Sequence, residues 1–529
     1  MIMATALTYG TVILFGATLL NRFLAFFNQI VMMKYIGPET VGLFQMIYPI
    51  YILLLVVATA GIPVALTKRV AEEAARGQWG NVRQMVSTSM VLLALGGVII
   101  TGAAAILPQY LFPGLVADRR AESAFWVLIP SIFFICLASG LRAFCQGMQS
   151  MEPPSLASMV EQVIRIASGL SLALWLLPRG IAYAAAGIAL GITLGELFGL
   201  AALLWLSGPF LFQRLKRFWN NKSMPATFGR RFALRSLWPL AYPVASSRII
   251  GCLMLTLDAF LIPRCLQLSG MTLSEATAAF GSLVGGLAPL ITIPTVFTIP
   301  LSTSLVSGIA ESWALRQTEA VRYRTVKALR LTAVIGWPCV GMILLVGDDV
   351  ASSLFGIQGM SAPLHILTIG AFFLYIYSTT TGILQGMGQV MFPLVVTVIT
   401  SALRIFLFIY VASLPLFGLK GIALGYTVTN LVTACLHVWW FRGKLGMSGS
   451  DLLHLLRPAL AAVAMIGTFQ IYLQVSSYLG YTSPFLSGLS GLLALLLYLL
   501  LLFPLGSLTR EDLRTFPGGT LLVGFFRKN

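Results

Sequence analysis

The sequence predicts an all-α polytopic membrane protein with about fourteen transmembrane helices, and three observations support this fold class. Apolar residues make up 58% of the 529 residues and charged residues only 10%, whereas about a quarter of the residues in a soluble domain are charged. Apolar windows of about twenty residues, the length that crosses the hydrocarbon core of a bilayer, follow one another along the chain. The third observation is an internal repeat of six helices.

The apolar windows give the order and the limits of the predicted helices. The first window carries Asn21, Arg22 and Asn28 and lacks a preceding basic segment, so we interpret it as a retained spanning helix and not as a cleaved signal. The short segments 108–121 and 348–361 are predicted on the outer side. The predicted helices span 7–34, 43–67, 86–107, 122–144, 155–177, 184–206, 236–262, 278–305, 327–347, 362–385, 391–412, 421–441, 456–475 and 483–505.

The net charge of +17 is distributed unevenly between the loops. The segment 214–235 holds seven Lys and Arg residues and no acid, and further cations gather at 68–83, 316–330, 442–457 and 510–528. Because loops rich in Lys and Arg stay in the cytoplasm, the sequence predicts that both termini are cytoplasmic. We interpret these cations as topology signals that contact anionic lipid and not nucleic acid. The six cysteines lack CxxC spacing and the three histidines are dispersed, so neither a metal site nor a cofactor is predicted.

Two stretches of six helices repeat each other in sequence. Several short matches occur in the same order at nearly the same spacing, which is hard to attribute to chance. The matches at a shift of 239 residues are VAEEAARGQ at 70–78 with IAESWALRQ at 309–317, QGM at 146–148 with QGM at 385–387, and Arg165 with Arg404. GIALG at 187–191 recurs at 421–425, at a shift of 234.

Each copy of the repeat contains an even number of helices, so both copies enter the membrane from the same side as parallel repeats. The sequence thus predicts an N-lobe at 1–206, a basic cytoplasmic linker at 207–235 and a C-lobe at 236–441. Two further helices and a basic cytoplasmic tail follow at 442–529. Two such lobes can rock about a central site, which is the alternating-access architecture.

Charges inside apolar helices are the candidate binding residues, because each costs a few kcal/mol in lipid unless it faces a cavity or a partner. Arg22 and Arg248 lie in the first helix of each lobe, and we expect these helices to face each other across a central cleft. Two facing guanidiniums repel each other unless an anion lies between them, and their planar forks suit phosphate oxygens. The sequence predicts a cationic cleft formed by Arg22, Arg248, Asn21, Asn28 and Arg404. The alternative, that the arginines are structural, stays open.

Five other embedded charges are predicted to act in gating or charge balance, with direct contact to cargo as the alternative. Glu161 and Arg165 are four residues apart on one helix face, where an ion pair is the simplest arrangement. Arg142 lies near the cytoplasmic end of its helix and can snorkel toward the surface. Glu196 follows GITLG, a pattern typical of close helix contacts. Asp258 lies about 15 Å beyond Arg248 along one helix, toward the outer mouth.

Proline interrupts the second predicted helix of each lobe. Such residues kink helices, and they are tolerated in a membrane where the freed carbonyl groups line a cavity or find partners. The sequence therefore predicts bending gate helices beside the cleft. The prolines are Pro49, Pro63, Pro289, Pro294 and Pro300.

Four long segments carry a resemblance to a known family. They are NRFLAFFNQIVMMKYIGPETVGLFQ at 21–45, GIPVALTKRVAEEAARG at 61–77, LRAFCQGMQSMEPPSLASMVEQVIRI at 141–166 and TIPLSTSLVSGIAE at 298–311. They resemble the stage V sporulation protein B family of endospore-forming bacteria. The resemblance runs from the first to the twelfth predicted helix and is weaker over the last two. That family belongs to the multidrug/oligosaccharidyl-lipid/polysaccharide exporter (MOP) superfamily, which also contains the MATE drug exporters and the lipid II flippases.

The resemblance implies a plasma-membrane flippase that moves a lipid-linked peptidoglycan precursor, for the spore cortex, in the forespore or mother-cell membrane. Arg22 falls where the lipid II flippases have their first arginine in helix 1, whereas the arginine expected six residues later is Asn28 here. Arginines expected in helix 2 are absent, and Arg248 is typical of the sporulation branch. A cationic cleft is therefore retained, and the identity of the lipid-linked cargo stays open. The last two helices are expected to form a groove for the lipid tail.

We therefore expect a monomeric transporter with an anionic lipid-linked glycan as substrate, membrane lipids as neighbours and cell-wall synthesis proteins as further partners. One alternative is a cation-coupled multidrug exporter of the same superfamily, which would require clustered embedded acids. Another is a membrane glycosyltransferase or a non-transporting scaffold of cell-wall synthesis. The sequence contains no GxSxG, P-loop or HExxH motif, so it does not predict an enzyme.

Overall fold

A computed structural model describes residues 2–114, 116–219, 230–296, 308–478 and 484–508. Within these ranges the regular structure is helical and contains no strand, which confirms the predicted all-α fold class. Among the described residues, eleven helical segments are long and apolar enough to cross a membrane, and a twelfth is added if Arg119–Leu128 and Ser131–Gly147, bent by 42°, form one span. The count of fourteen spans stays a prediction.

The helices fall into two compact units. The first unit comprises Met1–Gly286 with Leu354–Gly356, and the second comprises Leu287–Ser353 with Ile357–Asn529. The helices up to the end of the first unit are α1 (Ile2–Val31), α2 (Pro38–Thr59), α3 (Ile62–Ala75), α4 (Trp79–Ile106), α5 (Pro108–Gly114), α6 (Glu122–Leu128), α7 (Ser131–Gly147), α8 (Glu152–Leu176), α9 (Ile181–Trp219), α10 (Arg230–Leu268) and α11 (Leu273–Ser282). They are followed by α12 (Ala288–Thr292), α13 (Thr318–Phe355), α14 (Ser361–Gly386), α15 (Met391–Leu407), α16 (Gly418–Leu445), α17 (Gly449–Tyr478) and α18 (Pro484–Leu502).

Several helices extend beyond the apolar windows that predict them. The helix α9 continues to Trp219 and α10 begins at Arg230, so both ends of the predicted linker 207–235 are helical, and its residues 220–229 lie outside the described ranges. The helix α13 continues to Phe355, through half of a segment predicted as an outer loop. A hydropathy window detects only the apolar part of a helix. Lys, Arg, Gln and Glu are good helix formers, so the backbone hydrogen bonds continue into the polar flanks.

In the first unit, α8 and α9 pack closely because glycine recurs every fourth residue along α9. Residues four apart share one helix face, and a Cβ atom on these glycines would press into α8. At Gly187, for example, it would lie 2.7 Å from the backbone nitrogen of Ala173. Small residues at this spacing let two membrane helices approach to backbone contact. The facing positions are Gly187 with Ala173, Gly191 with Gly169, Gly195 with Arg165 and Gly199 with Glu161.

The second predicted helix is broken in the structure. The helix α2 ends at Thr59, the φ angles of Ala60 and Gly61 are 46° and 71°, and α3 begins at Ile62. A Cβ atom on Gly61 would lie 3.2 Å from the backbone nitrogen of Ala245 in α10, so this left-handed position also requires glycine for packing. The break therefore sits against α10.

The prolines predicted to kink helices occupy different kinds of position. Pro49 lies inside α2, Pro63 is in the first turn of α3, and Pro289 is in the first turn of α12. Pro294 lies in a turn that follows α12. Pro300 lies outside the described residues. The role of these prolines in gating stays a prediction.

In the second unit, α17 and α18 pack against α13 through a shared apolar core that includes Met465, Phe469 and Tyr498. Pro338 in α13 has no N–H to donate to the carbonyl four residues earlier. That carbonyl, of Val334, instead accepts a hydrogen bond of 2.7 Å from the Tyr498 hydroxyl in α18. The helix α18 is therefore held against α13 both by apolar burial and by a hydrogen bond to a carbonyl that proline leaves without its helical donor.

Candidate functional site

Arg22 is exposed on α1, beside side-chain amides that turn toward their neighbours. Asn21 donates from Nδ2 to the Ser158 hydroxyl in α8 at 3.2 Å, and Asn28 donates to the Met32 sulfur at 3.6 Å. The Oδ1 atoms of both amides are buried and accept no hydrogen bond from the described residues. The three predicted cleft residues of α1 are therefore one exposed guanidinium and two amides with unused acceptor oxygens.

Arg248 is exposed on α10, three residues after Ala245. Because residues three apart share a helix face, it lies one turn beyond the contact between α10 and the α2–α3 break. The helix α10 packs chiefly against α2 and α3, whereas α1 packs chiefly against α8. The predicted arrangement, in which Arg22 faces Arg248 across a cleft, stays a prediction.

Neither Arg22 nor Arg248 has an acidic side chain within ion-pairing distance in the described part of the chain. Arg404 belongs to the second unit, on α15, where its guanidinium lies 5.2 Å from the centre of the Tyr426 ring in α16. A guanidinium at this distance is attracted to the face of the ring. Its Nη2 atom also lies 3.5 Å from the Ser401 hydroxyl. Its position relative to the other two arginines stays a prediction.

Four of the predicted gating residues form one buried ionic network across α7, α8 and α9. Arg165 donates to Glu161 at 2.5 Å, which confirms the predicted ion pair within α8, and also to Glu196 in α9 at 2.5 Å. Arg142, predicted to snorkel toward the cytoplasm, instead turns to Glu161 and donates at 2.5 Å. The reason is physical: a carboxylate within reach satisfies a guanidinium in the membrane better than a long path to the surface.

The two acids of the ionic network are buried, its two arginines are half-buried, and the formal charges of the four residues sum to zero. Glu161 is 8% exposed and Glu196 is 5% exposed. Gly195 and Gly199 provide the space, because a Cβ atom on either would lie 2.9 Å from the Cβ of Arg165 or Glu161. The Nε atoms of both arginines and one oxygen of Glu196 have no hydrogen-bond partner among the described residues. The charges of these four residues therefore compensate one another within the protein, and none of them is available to bind an anionic ligand.

Asp258 is buried on α10, at 4% exposure, ten residues beyond Arg248. Its predicted role, charge balance at the outer mouth, stays a prediction. Its burial distinguishes it from the exposed Arg248 on the same helix.

A second polar cluster, which the sequence analysis does not predict, joins the start of α2, the segment before α6 and the start of α11. Arg120 donates to Asp118 at 2.6 Å and to Glu39 at 2.8 Å. The Thr277 hydroxyl donates to Asp118 at 3.1 Å, and the Ser274 hydroxyl donates to Glu39 at 2.6 Å. The sequence analysis predicts that these helix ends lie on the outer side, so we name these five residues the outer cluster.

One feature of the outer cluster is visible in the sequence. Asp118 and Arg120 are two residues apart in a loop on the side of the membrane where the loops hold few cations. In the structure the Asp118 side chain is fully buried. The other three members lie far away in the chain, next to helix starts where acids and hydroxyls are common. Only the fold brings them together.

Comparison with known proteins shows which families and relatives the sequence resembles. The family model described as polysaccharide biosynthesis protein matches residues 7–269. Stage V sporulation protein B of Bacillus subtilis (strain 168) is 27% identical over 512 residues, covering 96% of this chain and 97% of that protein. Lipid II flippase MurJ of the same organism is 23% identical over 458 residues, covering 81% of this chain and 82% of that protein.

Two solved structures share the fold. One is lipid II flippase MurJ in an inward closed conformation, with a TM-score of 0.68 and 16% identity, covering 92% of this chain and 98% of that chain. The other is an inward-facing MATE family multidrug transporter of the MOP superfamily, with a TM-score of 0.66 and 17% identity, covering 80% of this chain and 94% of that chain. The chain is therefore similar in sequence to the polysaccharide biosynthesis protein family over residues 7–269 and to stage V sporulation protein B over most of its length, and it has the fold of these two solved structures, with many helices able to span a membrane.

Proposed function

We propose that the protein is a flippase that carries a polyprenyl-diphosphate-linked peptidoglycan or oligosaccharide precursor from the cytoplasmic to the outer face. The observation that carries the proposal is the contrast between two sets of embedded charges. Arg142, Glu161, Arg165 and Glu196 neutralise one another. Arg22 and Arg248 lie on apolar helices without an acidic partner among the described residues.

Two arginines without an acidic partner are unfavourable in a membrane, because inserting each charge costs a few kcal/mol of free energy. A function that needs these charges would account for their presence. A diphosphate supplies two charges and several acceptor oxygens, and a guanidinium binds such oxygens through two parallel hydrogen bonds. Arg22 and Arg248 would hold the diphosphate, while the amides of Asn21 and Asn28 would bond to the sugars. The polyprenyl tail would remain in lipid. Arg404 is proposed to contact the same head group from the C-lobe.

The proposed cycle is alternating access of the N-lobe (1–206) and the C-lobe (236–441). The head group enters from the cytoplasm, the lobes rock, and the head group is exposed outside. An inside-negative potential favours export of an anion by about 2.3 kcal/mol per charge per 100 mV. Potential alone would therefore drive a divalent head group outward, and no separate ion site is needed.

The names of two relatives support this substrate class and a cellular role. Lipid II flippase MurJ supports a lipid-linked precursor as the cargo, and stage V sporulation protein B supports a role in sporulation, which we propose is synthesis of the spore cortex. The positive-inside pattern supports cytoplasmic termini in the plasma membrane.

A second candidate is a cation-coupled multidrug exporter, which the shared fold with a MATE transporter favours. Such an exporter needs embedded carboxylates that can exchange a cation. Glu161 and Glu196 are both bonded to arginine at 2.5 Å, so the cation they would bind is already supplied by the protein. The flippase is therefore the better supported proposal.

The test is transfer of a lipid-linked disaccharide-pentapeptide in proteoliposomes. Head groups that reach the far leaflet are measured by their accessibility to a membrane-impermeant enzyme. Loss of one charge-assisted hydrogen-bonding partner is worth about 1.5–3 kcal/mol, so Arg22→Ala or Arg248→Ala should slow transfer by roughly ten- to a hundredfold. Arg179→Ala is the matched control, because Arg179 ends a 3-10 turn that follows α8, and its guanidinium stacks over the Trp175 ring at 4.7 Å.

Two results would contradict the proposal. Equal transfer by Arg22→Ala, Arg248→Ala and Arg179→Ala would refute the cationic cleft. Absence of transfer of every polyprenyl-diphosphate sugar by the unaltered protein, together with proton- or sodium-driven drug efflux, would replace the flippase with the second candidate.

A further inference from the structure

An apolar cavity of about 310 Å³ lies in the first unit, beside the break between α2 and α3. The end of α2, the start of α3, the middle of α4 and the first turns of α10 form its walls. Its volume falls within the usual range for ligand pockets, about 300–1,000 Å³. Of the described residues that line the cavity, none is charged, and the indole N–H of Trp238 is the single polar side-chain group.

The cavity opens toward lipid. Ile99 of α4 and Trp238 of α10 line it and are 63% and 64% exposed, and both lie in stretches apolar enough to span a membrane. A buried water needs two to four polar partners, which the described lining side chains do not supply. The occupant that suits this cavity is therefore an apolar chain from the membrane.

The cavity borders both sides of the helix break. Ala58 and Ala60 line it before the break, and Ile62 lines it after the break. On the opposite wall, a Cβ atom on Gly96 of α4 would lie 2.6 Å from the Ala58 carbonyl oxygen, so α4 and α2 are in backbone contact there. A chain in the cavity therefore contacts α2 and α3 together, and it stabilises the bend between them.

Two arginines stand at one end of the cavity. The helix α3 runs away from the cavity and α10 runs toward it, and the two meet where Arg69 donates to the Ser236 carbonyl oxygen at 3.2 Å. Arg235 is exposed and forms no ion pair with a described residue. It lies three residues before Trp238, so the two share a face of α10. The sequence analysis predicts that this end is cytoplasmic.

We propose that the cavity binds one acyl chain of an anionic phospholipid of the cytoplasmic leaflet, with the lipid phosphate at Arg235. The planar fork of a guanidinium suits phosphate oxygens, and cations at this level of the membrane attract anionic lipids. Tryptophan is enriched at the same level. Arg235 and Trp238 are about 4.5 Å apart along the helix axis, so a phosphate at Arg235 places the start of its chain at the cavity.

The tail of the proposed cargo fits this cavity less well. Its diphosphate is proposed to lie at Arg248, about 15 Å beyond Trp238 along α10. The cations nearest the cavity are instead at its cytoplasmic end, at the level of phospholipid head groups. The phospholipid site is therefore separate from the cationic cleft and does not depend on the identity of the cargo.

The first test measures which lipid lies beside Trp238. The full-length protein is reconstituted in phosphatidylcholine vesicles that contain a minor fraction of phosphatidylglycerol. Bromine, which quenches tryptophan at short range, is carried by the chains of the phosphatidylglycerol or of an equal fraction of the phosphatidylcholine. The quenching of Trp238 is the difference between the unaltered protein and Trp238→Phe. Phosphatidylglycerol should be enriched at Trp238 by about fivefold or more, and equal quenching by the two lipids would overturn the proposal.

The second test removes the cation. Arg235→Gln should lower the enrichment of phosphatidylglycerol about fivefold. Arg76→Gln is the matched control, because the Arg76 side chain is 63% exposed and pairs with Glu73 at 3.5 Å, beyond the far end of α3. Equal enrichment in the two variants would contradict a phosphate at Arg235 and overturn the proposal.

The third test narrows the cavity. Ile100→Phe adds volume to a lining residue of α4, whereas Val98→Phe adds the same ring type at a residue that is 58% exposed and does not border the cavity. Only Ile100→Phe should lower quenching by brominated phosphatidylglycerol severalfold, and equal quenching in both variants would refute a chain inside the cavity. Displacement of that lipid by polyprenyl diphosphate, and not by an equal amount of unbrominated phosphatidylglycerol, would overturn the phospholipid in favour of the cargo tail.

Discussion

Removal of Glu161 is the sharpest perturbation of the buried ionic network. The substitution Glu161→Gln breaks the ion pairs to Arg142 and Arg165, both 2.5 Å long, and leaves only the Arg165–Glu196 pair. Removing one partner of a buried ion pair costs about 3–5 kcal/mol, because the other charge is left buried without compensation. The arginine side chains keep 26% and 28% exposure, so we expect a loss near the lower limit, about 3 kcal/mol.

The assay is the free energy of unfolding in mixed micelles, measured by denaturing-detergent titration with circular dichroism. Glu152→Gln is the matched control, because it changes the same charge in the exposed first turn of the same helix. An acid in a first turn contributes at most about 1 kcal/mol. The double variant Arg142→Gln with Glu161→Gln should lose less than the sum of its parts by about 1 kcal/mol or more. Equal losses for Glu161→Gln and Glu152→Gln, or strict additivity, would refute the network as a stabilising unit.

Three further predictions concern other contacts, each measured by the same titration. Gly191→Ala should lower the free energy of unfolding by about 1–3 kcal/mol or more, because the Cβ atom of the alanine would overlap the backbone of α8. Unchanged stability would contradict the close packing of α8 and α9. Tyr498→Phe should lower the free energy of unfolding by about 1–3 kcal/mol, because the buried Val334 carbonyl loses its hydrogen-bond donor. An unchanged free energy of unfolding would mean that this carbonyl accepts a hydrogen bond from another donor. Burial raises the pKa of Asp451, but bonds from the Ser448 N–H and from Arg322 outweigh it and hold the pKa below its ordinary value. A carboxyl whose pKa is lowered in the folded state stabilises the protein above its unfolded-state pKa, and this stability is lost as the pH falls through the folded-state pKa. The unaltered chain should therefore lose more stability than Asp451→Asn as the pH falls below about 4. Parallel curves of stability against pH for the two proteins would contradict the ion pair between Asp451 and Arg322.

The local sequence predicts those features of this structure that depend on a single helix. The ion pair between Glu161 and Arg165 follows from a spacing of four residues, and the glycines of α9 recur at the same spacing. The ion pair of Arg142 is a contact between two helices, which the local sequence does not predict. It is nineteen residues from Glu161, and only the packing of α7 on α8 makes the carboxylate a nearer partner than the cytoplasmic surface.

The outer cluster was not predictable for the same reason. Its hydrogen-bonded pairs are separated by up to 235 residues in the chain, as in the bond from Ser274 to Glu39. Each member is ordinary in its local context, a first-turn acid, a loop aspartate or a hydroxyl in the first turns of a helix. Only the fold brings these residues into contact.

The central claim is that Arg22 and Arg248 hold the diphosphate of a lipid-linked glycan. Equilibrium binding in nanodiscs tests it most directly, with polyprenyl diphosphate, polyprenyl monophosphate and the neutral polyprenol as ligands. The account predicts the tightest binding for the diphosphate and the weakest for the alcohol. It also predicts that Arg22→Ala/Arg248→Ala weakens diphosphate binding by about a hundredfold or more, from two charge-assisted contacts of about 1.5–3 kcal/mol each, and leaves the alcohol unaffected. Equal diphosphate affinity in the unaltered protein and the double variant would contradict it.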